Sequence, residues 1–167
     1  MKNIVLIGMP GAGKSTIGVV LAKNLGYAFI DSDLLIQDRE HMLLHEIIDR
    51  YGLDRFNQIE NEVNASIRAD HSIIATGGSV IYGQEAMMHL KSIGTVVYLK
   101  LPYEELEERL GDLNERGVSI RRGQTLASLY EERVPLYEKY ADITVDCTDS
   151  NIRKIVKKIA AFAREQL

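Results

Sequence analysis

Cysteine occurs once in the 167 residues, at Cys147. A single thiol excludes an internal disulfide and a multi-Cys metal site. Tryptophan is absent and proline occurs three times, so nothing marks a fibrous or disordered chain. No apolar run approaches the ~20 residues that cross a bilayer. The N-terminal stretch has one positive charge and a short apolar run, without a signal peptide's long apolar region or small-residue cleavage site. Surplus positive charge is missing too. The formal net charge is −4, with acids and bases interspersed, which argues against the basic stripe of a nucleic-acid or anionic-membrane surface. The expectation is a cytoplasmic, monomeric protein with one domain spanning 1–167 and no nucleic-acid or membrane partner.

What is present is strand–helix alternation. Short Val- and Ile-rich runs at 3–7, 27–30, 72–75, 95–100 and 142–146 read as strands buried on both faces. Helical patterns fill 15–25, a long stretch from 33 to about 70, 85–93, 103–113, 126–140 and 151–166. That order predicts a three-layer α/β fold, a five-stranded parallel sheet with right-handed crossovers and helices on both faces. The stretch 114–124 breaks the pattern, with three arginines and two glycines among few apolar residues. Its length and composition predict a mobile lid.

The first strand runs into Gly8-Met9-Pro10-Gly11-Ala12-Gly13-Lys14-Ser15-Thr16. These residues match G-x-x-x-x-G-K-[ST] in the right setting, strand before and amphipathic helix after. The glycines allow a tight turn that presents successive N–H groups to phosphate oxygens, and the following helix adds the positive end of its dipole. Lys14 is expected on the β- and γ-phosphates, with the Ser15 hydroxyl on Mg²⁺. A guanine-reading Asn-Lys-x-Asp segment is absent, and Asp49-Arg50-Tyr51-Gly52 falls in a helical stretch instead of at a strand end. A compact small-molecule kinase is the better class.

The second strand ends Phe29-Ile30-Asp31-Ser32-Asp33, and ligands in open α/β sheets collect at such carboxyl ends. Spaced i, i+2, the two carboxylates can divide their labour between Mg²⁺ and an acceptor hydroxyl, while Asp31 or Ser32 can also cap the next helix. The third strand ends Thr76-Gly77-Gly78-Ser79. A Gly pair there permits close approach by a ligand, although a plain turn has the same letters. His41 and His45, four residues apart, lack the order and third ligand of a metal site. The basic 154–164 segment reads as an amphipathic closing helix.

Together these segments resemble the shikimate kinase family, with the nucleoside-monophosphate-kinase-like P-loop fold. The markers span the chain: the 8–16 loop, Phe29-Ile30-Asp31-Ser32-Asp33, Gly52…Phe56…Glu60, Thr76-Gly77-Gly78, and Glu132-Arg133-Val134-Pro135-Leu136-Tyr137 followed by Ala141-Asp142. The resemblance implies ATP-dependent phosphorylation of a ring hydroxyl of shikimate, with Mg²⁺. It implies nucleotide contacts from Gly11, Ala12, Gly13, Lys14, Ser15 and Thr16. By position, Asp31 with Ser15 would hold Mg²⁺ and Asp33 would contact the acceptor hydroxyl. Gly77 and Gly78 would meet the substrate by backbone, and Arg133 would clamp its carboxylate through two parallel donors. Arg109 would lie against adenine, or form a helical ion pair with Glu105. Arg116 would be the lid arginine closing on the phosphates, with Arg121 and Arg122 less well placed.

Two positions depart from the family pattern. Asn57 stands where an Arg grips shikimate, and Ser79 stands where a third glycine follows the strand. Loss of one charge-assisted contact costs on the order of 1.5–3 kcal/mol, or one to two decades of affinity. Arg55 points about 200° away around the helix and is no substitute. Glu60, one turn after Asn57, is then a carboxylate at the substrate region without an evident cation. Shikimate is the first candidate acceptor. An amino-bearing hydroxy acid such as homoserine and a sugar acid such as gluconate are the alternatives. A nucleotide-binding regulatory module without efficient transfer is the reading from another class.

Overall fold

A computed structural model describes residues 2–110 and 123–166. The chain runs β1 (Asn3–Ile7), α1 (Lys14–Leu25), β2 (Ala28–Asp31), α2 (Ser32–Glu40), α3 (Leu44–Tyr51), α4 (Leu53–Ala65) and β3 (Ser72–Ala75). A 3₁₀ turn (Val80–Tyr82) leads to α5 (Gln84–Ile93), β4 (Gly94–Lys100) and α6 (Tyr103–Leu110), and then α7 (Leu126–Tyr140), β5 (Ile143–Asp146) and α8 (Ile152–Gln166). The five strands pair in parallel in the order β2-β3-β1-β4-β5. Central β1 is buried at every residue, which is why residues 4–7 are a continuous apolar run instead of an alternation.

The order of strands determines which face each helix covers. From β1 the chain moves past β3 to reach β2, and from β3 it moves the opposite way to β4. Right-handed crossovers therefore place α1 on one face and α5 on the other. On the first face α1 packs with α8, and on the second α5 packs with α4 and β4. Neighbouring strands β1 and β3 thus send their connections to opposite faces. That switch point opens a crevice at their carboxyl ends. The three-layer parallel α/β architecture expected from the sequence is the one observed.

The helical stretch expected from 33 to about 70 divides into three helices. His41 takes a left-handed conformation at φ +55° after α2, and Gly52 sits at φ +84° between α3 and α4. Histidine carries no strong helix-stop signal, so only the glycine break was visible in the letters. These helices enclose their own apolar cluster of Ile36, Ile47, Phe56, Ile59 and Val63, apart from the main core around the sheet. The 114–124 stretch, with Arg116, Arg121 and Arg122, lies outside the described residues except for Gly123 and Gln124. Among the described residues, no helix is long and apolar enough to cross a membrane.

Candidate active site

The crevice holds a cavity of about 310 Å³ lined by the phosphate loop, Asp33, Glu60, Thr76 to Ser79, Arg133 and the side chains of Leu44 and Phe56. Its floor is the loop after β1. Gly13 caps α1 at φ +89°, a conformation that β-carbon-bearing residues rarely adopt. The first turn of α1 leaves the N–H groups of Lys14, Ser15 and Thr16 without intrahelical partners, so the helix start is an anion site by construction. Ala12 is buried and Gly11 and Thr16 are exposed at its rim. The Lys14 ammonium folds back over the loop and donates to the carbonyls of Gly8 (2.7 Å) and Met9 (2.9 Å). Burial pulls its pKa down to about 8, opposed by the carboxylate of Asp33. A cation held only by neutral carbonyls in a buried cradle is prepared for phosphate oxygens.

Beside the loop, Ser15 Oγ donates to Asp31 Oδ2 at 3.0 Å. Asp31 also caps α2, its Oδ1 accepting from the Asp33 N–H. The cap orients the carboxylate so that its other oxygen faces the serine. No group of three or more His, Cys, Asp or Glu suited to a metal ion occurs among the described residues. The Ser15–Asp31 oxygen pair is instead the sparse, hard-donor set that suits Mg²⁺, which keeps waters and phosphate oxygens for its other positions.

The rest of the cavity wall is built from α2, α4, the turn after β3, and α7. Burial lifts the Asp33 carboxyl to about 6, helped by Asp31 and opposed by Lys14. Glu60, 2% exposed on α4, accepts a hydrogen bond from Ser79 at Oε1. Its Oε2 is buried without a hydrogen-bond partner. Burial pushes Glu60 to about 7; the Ser79 hydroxyl opposes the rise and Asp33 adds to it. Gly77 lies where these carboxylates converge. A Cβ there would fall 2.7 Å from Glu60 Oε2 and 2.8 Å from Asp33 Oδ1, so glycine is required by the approach of its neighbours.

Arg133 is 1% exposed, its guanidinium carbon 5.4 Å from the centre of the Tyr82 ring and its Nε donating to Tyr82 Oη at 3.4 Å. Its Nη1 lies 3.0 Å from where a Gly78 Cβ would stand. One turn on, Tyr137 donates to the Gly78 carbonyl at 2.6 Å and stacks on Tyr98. Arg109 is exposed at the end of α6, where Nη1 donates to the Gly11 carbonyl at 3.1 Å and Nη2 lies 3.8 Å from Glu105. The intrahelical pair is present, and the guanidinium is also held against the loop. Asn57 is half-buried on α4 and is not among the residues lining the cavity, and its Oδ1 is buried without a partner.

The geometry therefore gathers Lys14, Ser15, Asp31, Asp33, Glu60, Gly77, Gly78 and Arg133 around one crevice. The roles of Tyr137 and Ser79 were missed from the sequence. Tyr137 had a signal, standing four residues after Arg133 and so on the same helix face. Ser79 had none, because its partner Glu60 lies nineteen residues back on another element.

The model of the family described as shikimate kinase matches residues 10–164. A shikimate kinase from Francisella tularensis subsp. novicida is 41% identical over 99% of this chain and 96% of that protein. The structure of shikimate kinase from Acinetobacter baumannii in complex with shikimate superposes with a TM-score of 0.88 at 31% identity, covering 100% of this chain and 96% of the other. The structure of the Aquifex aeolicus shikimate kinase superposes with a TM-score of 0.82 at 33% identity, over 97% and 96%. With a phosphate loop, a carboxylate at the second strand and an arginine-walled cavity in one crevice, and with these likenesses along nearly its whole length, the chain belongs to the shikimate kinase family of ATP-dependent phosphotransferases that act on a hydroxyl group.

Proposed function

We propose that this protein transfers the γ-phosphoryl group of ATP to a hydroxyl of a small carboxylic acid bound in the 310 Å³ cavity, with shikimate as the first acceptor to test. The observation that carries the reading is the meeting of the phosphate loop with Asp33 and Arg133 on that cavity. The shikimate held by the Acinetobacter baumannii enzyme supports the choice of acceptor. Gly11, Ala12, Gly13, Lys14, Ser15 and Thr16 hold the triphosphate, and Arg109 lies beside the nucleotide. The Ser15 hydroxyl and Asp31 would hold Mg²⁺. When bound, that ion neutralises phosphate charge and orients the terminal phosphoryl group.

Lys14 exchanges its loop carbonyls for phosphate oxygens and stabilises the charge spreading over them in the transition state. Arg133 takes the acceptor's carboxylate in two parallel N–H···O bonds, and the Gly77 and Gly78 backbone walls the other side. Asp33 accepts a hydrogen bond from the reacting hydroxyl and aligns its oxygen on the γ-phosphorus. As the new O–P bond forms, the bridging P–O bond to ADP breaks, and the hydroxyl proton passes to Asp33. Arg116 would add charge from the lid side.

Turnover assays with MgATP and shikimate test the assignment together with Lys14→Ala. That variant is expected to fold, by far-UV circular dichroism, and to lose at least 10²–10³-fold in kcat, the usual effect of removing one transition-state donor. Full activity in Lys14→Ala would refute the role of the lysine.

A further inference from the structure

Glu60 is the buried charge that the reading above leaves unpaired. Its Oε1 is occupied by Ser79, its Oε2 has no hydrogen-bond partner, and the side chain lines the acceptor cavity. No lysine, arginine or histidine among the described residues comes within ion-pair distance of it. Asn57, three residues earlier on α4, is neutral, and its Oδ1 is also buried without a partner. Across Gly77 the same space is faced by Asp33 Oδ1, so one point beside the strand end has a carboxylate oxygen on each side, both within 3 Å.

A buried carboxylate facing another carboxylate is costly unless a cation or strong donors meet it. A neutral hydroxyl brings one donor and adds no positive charge beside the two carboxylates. An ammonium brings three donors, no acceptor and the opposite charge. Arg133, 1% exposed, lines the same cavity. Glu60 and Arg133 thus line one cavity of about 310 Å³, which offers a cation and an anion of the same small molecule opposite partners in one space.

We propose that the acceptor cavity takes a small hydroxyl-bearing amino acid, its ammonium on Glu60, its carboxylate on Arg133 and its hydroxyl on Asp33. Ser79 holds Glu60 so that Oε2 faces the ligand. The chemistry is unchanged: the amino acid's hydroxyl oxygen bonds to the γ-phosphorus, the bridging P–O bond of ATP breaks, the hydroxyl proton goes to Asp33, and ADP leaves with the phospho-amino acid as the other product. The inference rests on the kinase reading and narrows its acceptor.

Matched probe pairs differing only in the amine isolate the claim. ADP release with MgATP is measured for L-homoserine against 4-hydroxybutyrate, L-serine against 3-hydroxypropionate, and L-threonine against 3-hydroxybutyrate, with shikimate alongside. At least one amino member is expected to exceed its deaminated partner tenfold or more in kcat/KM. Glu60→Gln, checked for folding by circular dichroism, is expected to erase that preference mainly through KM. Equal rates within every pair, or turnover of shikimate with none of the amino acids, would overturn the inference and leave the kinase reading standing. Silence with every acceptor, shikimate included, would overturn both.

Discussion

At the scale of single residues, Glu60 makes the pH behaviour of the fold readable. Burial raises its carboxyl from the ordinary 4.5 to about 7; Asp33 on α2 pushes the same way, and the Ser79 hydroxyl, Arg133 on α7 and Lys14 push back. A raised carboxyl binds its proton more tightly in the folded chain than in the unfolded one. Its contribution is therefore intact below pH 4.5, declines between 4.5 and about 7, and is gone above. That interval corresponds to about 3 kcal/mol for a fully buried group. Glu60→Gln carries no ionisable group and is expected to be the more stable form at pH 8, with the difference shrinking toward pH 5. Urea unfolding of both proteins at the two pH values checks it, and parallel curves would show that Glu60 is not charged at a cost.

At the scale of elements, the turn after β3 is where three helices are brought to bear on one pair of glycines. Gly77 faces Asp33 from α2 and Glu60 from α4, and Gly78 faces Arg133 and is held through its carbonyl by Tyr137 of α7. Gly77→Ala would put a Cβ under 3 Å from both carboxylate oxygens. They must move, and misplacement by about 1 Å near reacting atoms can cost 10²-fold. The expected result is a ten- to hundredfold loss of kcat/KM in a protein that still folds. Tyr137→Phe leaves the Gly78 carbonyl without its partner and is expected to lower stability by about 1–3 kcal/mol. Chemical denaturation of this variant, with KM for the acceptor measured in parallel, separates a structural effect from loosened substrate contacts. The letters Gly-Gly at a strand end were visible beforehand, but the same letters make a plain turn. Only the approach of α2, α4 and α7 distinguishes the two.

At the scale of the molecule, apolar packing is divided. The sheet core runs through β1, β3 and β4 to α1, α5 and α8, while Ile36, Ile47, Phe56, Ile59 and Val63 form a second cluster within α2–α4. The second cluster carries Asp33 and Glu60 on its helices, so under the proposed roles its stability and acceptor binding are linked. Phe56 is 3% exposed, and Phe56→Ala is expected to cost about 3–5 kcal/mol. Native-state hydrogen exchange is expected to find Ile36, Ile47 and Ile59 opening at lower free energy than Ile4, Val5 and Ile74. Uniform protection across both sets would mean that the two clusters open as one.

The sequence by itself determined what depends on neighbours along the chain. The phosphate loop is one continuous run whose glycines, lysine and helix start act together without help from elsewhere, and β1, β3 and α7 have the boundaries their patterns imply. The Asp31 cap on α2 is equally local. Tertiary structure decided everything that needed two distant segments to meet. Glu60 finds Ser79 across nineteen residues and Tyr137 finds Gly78 across fifty-nine. Side-chain chemistry limits which partners each residue accepts, but the order β2-β3-β1-β4-β5 and the handedness of its crossovers decide which of them are within reach.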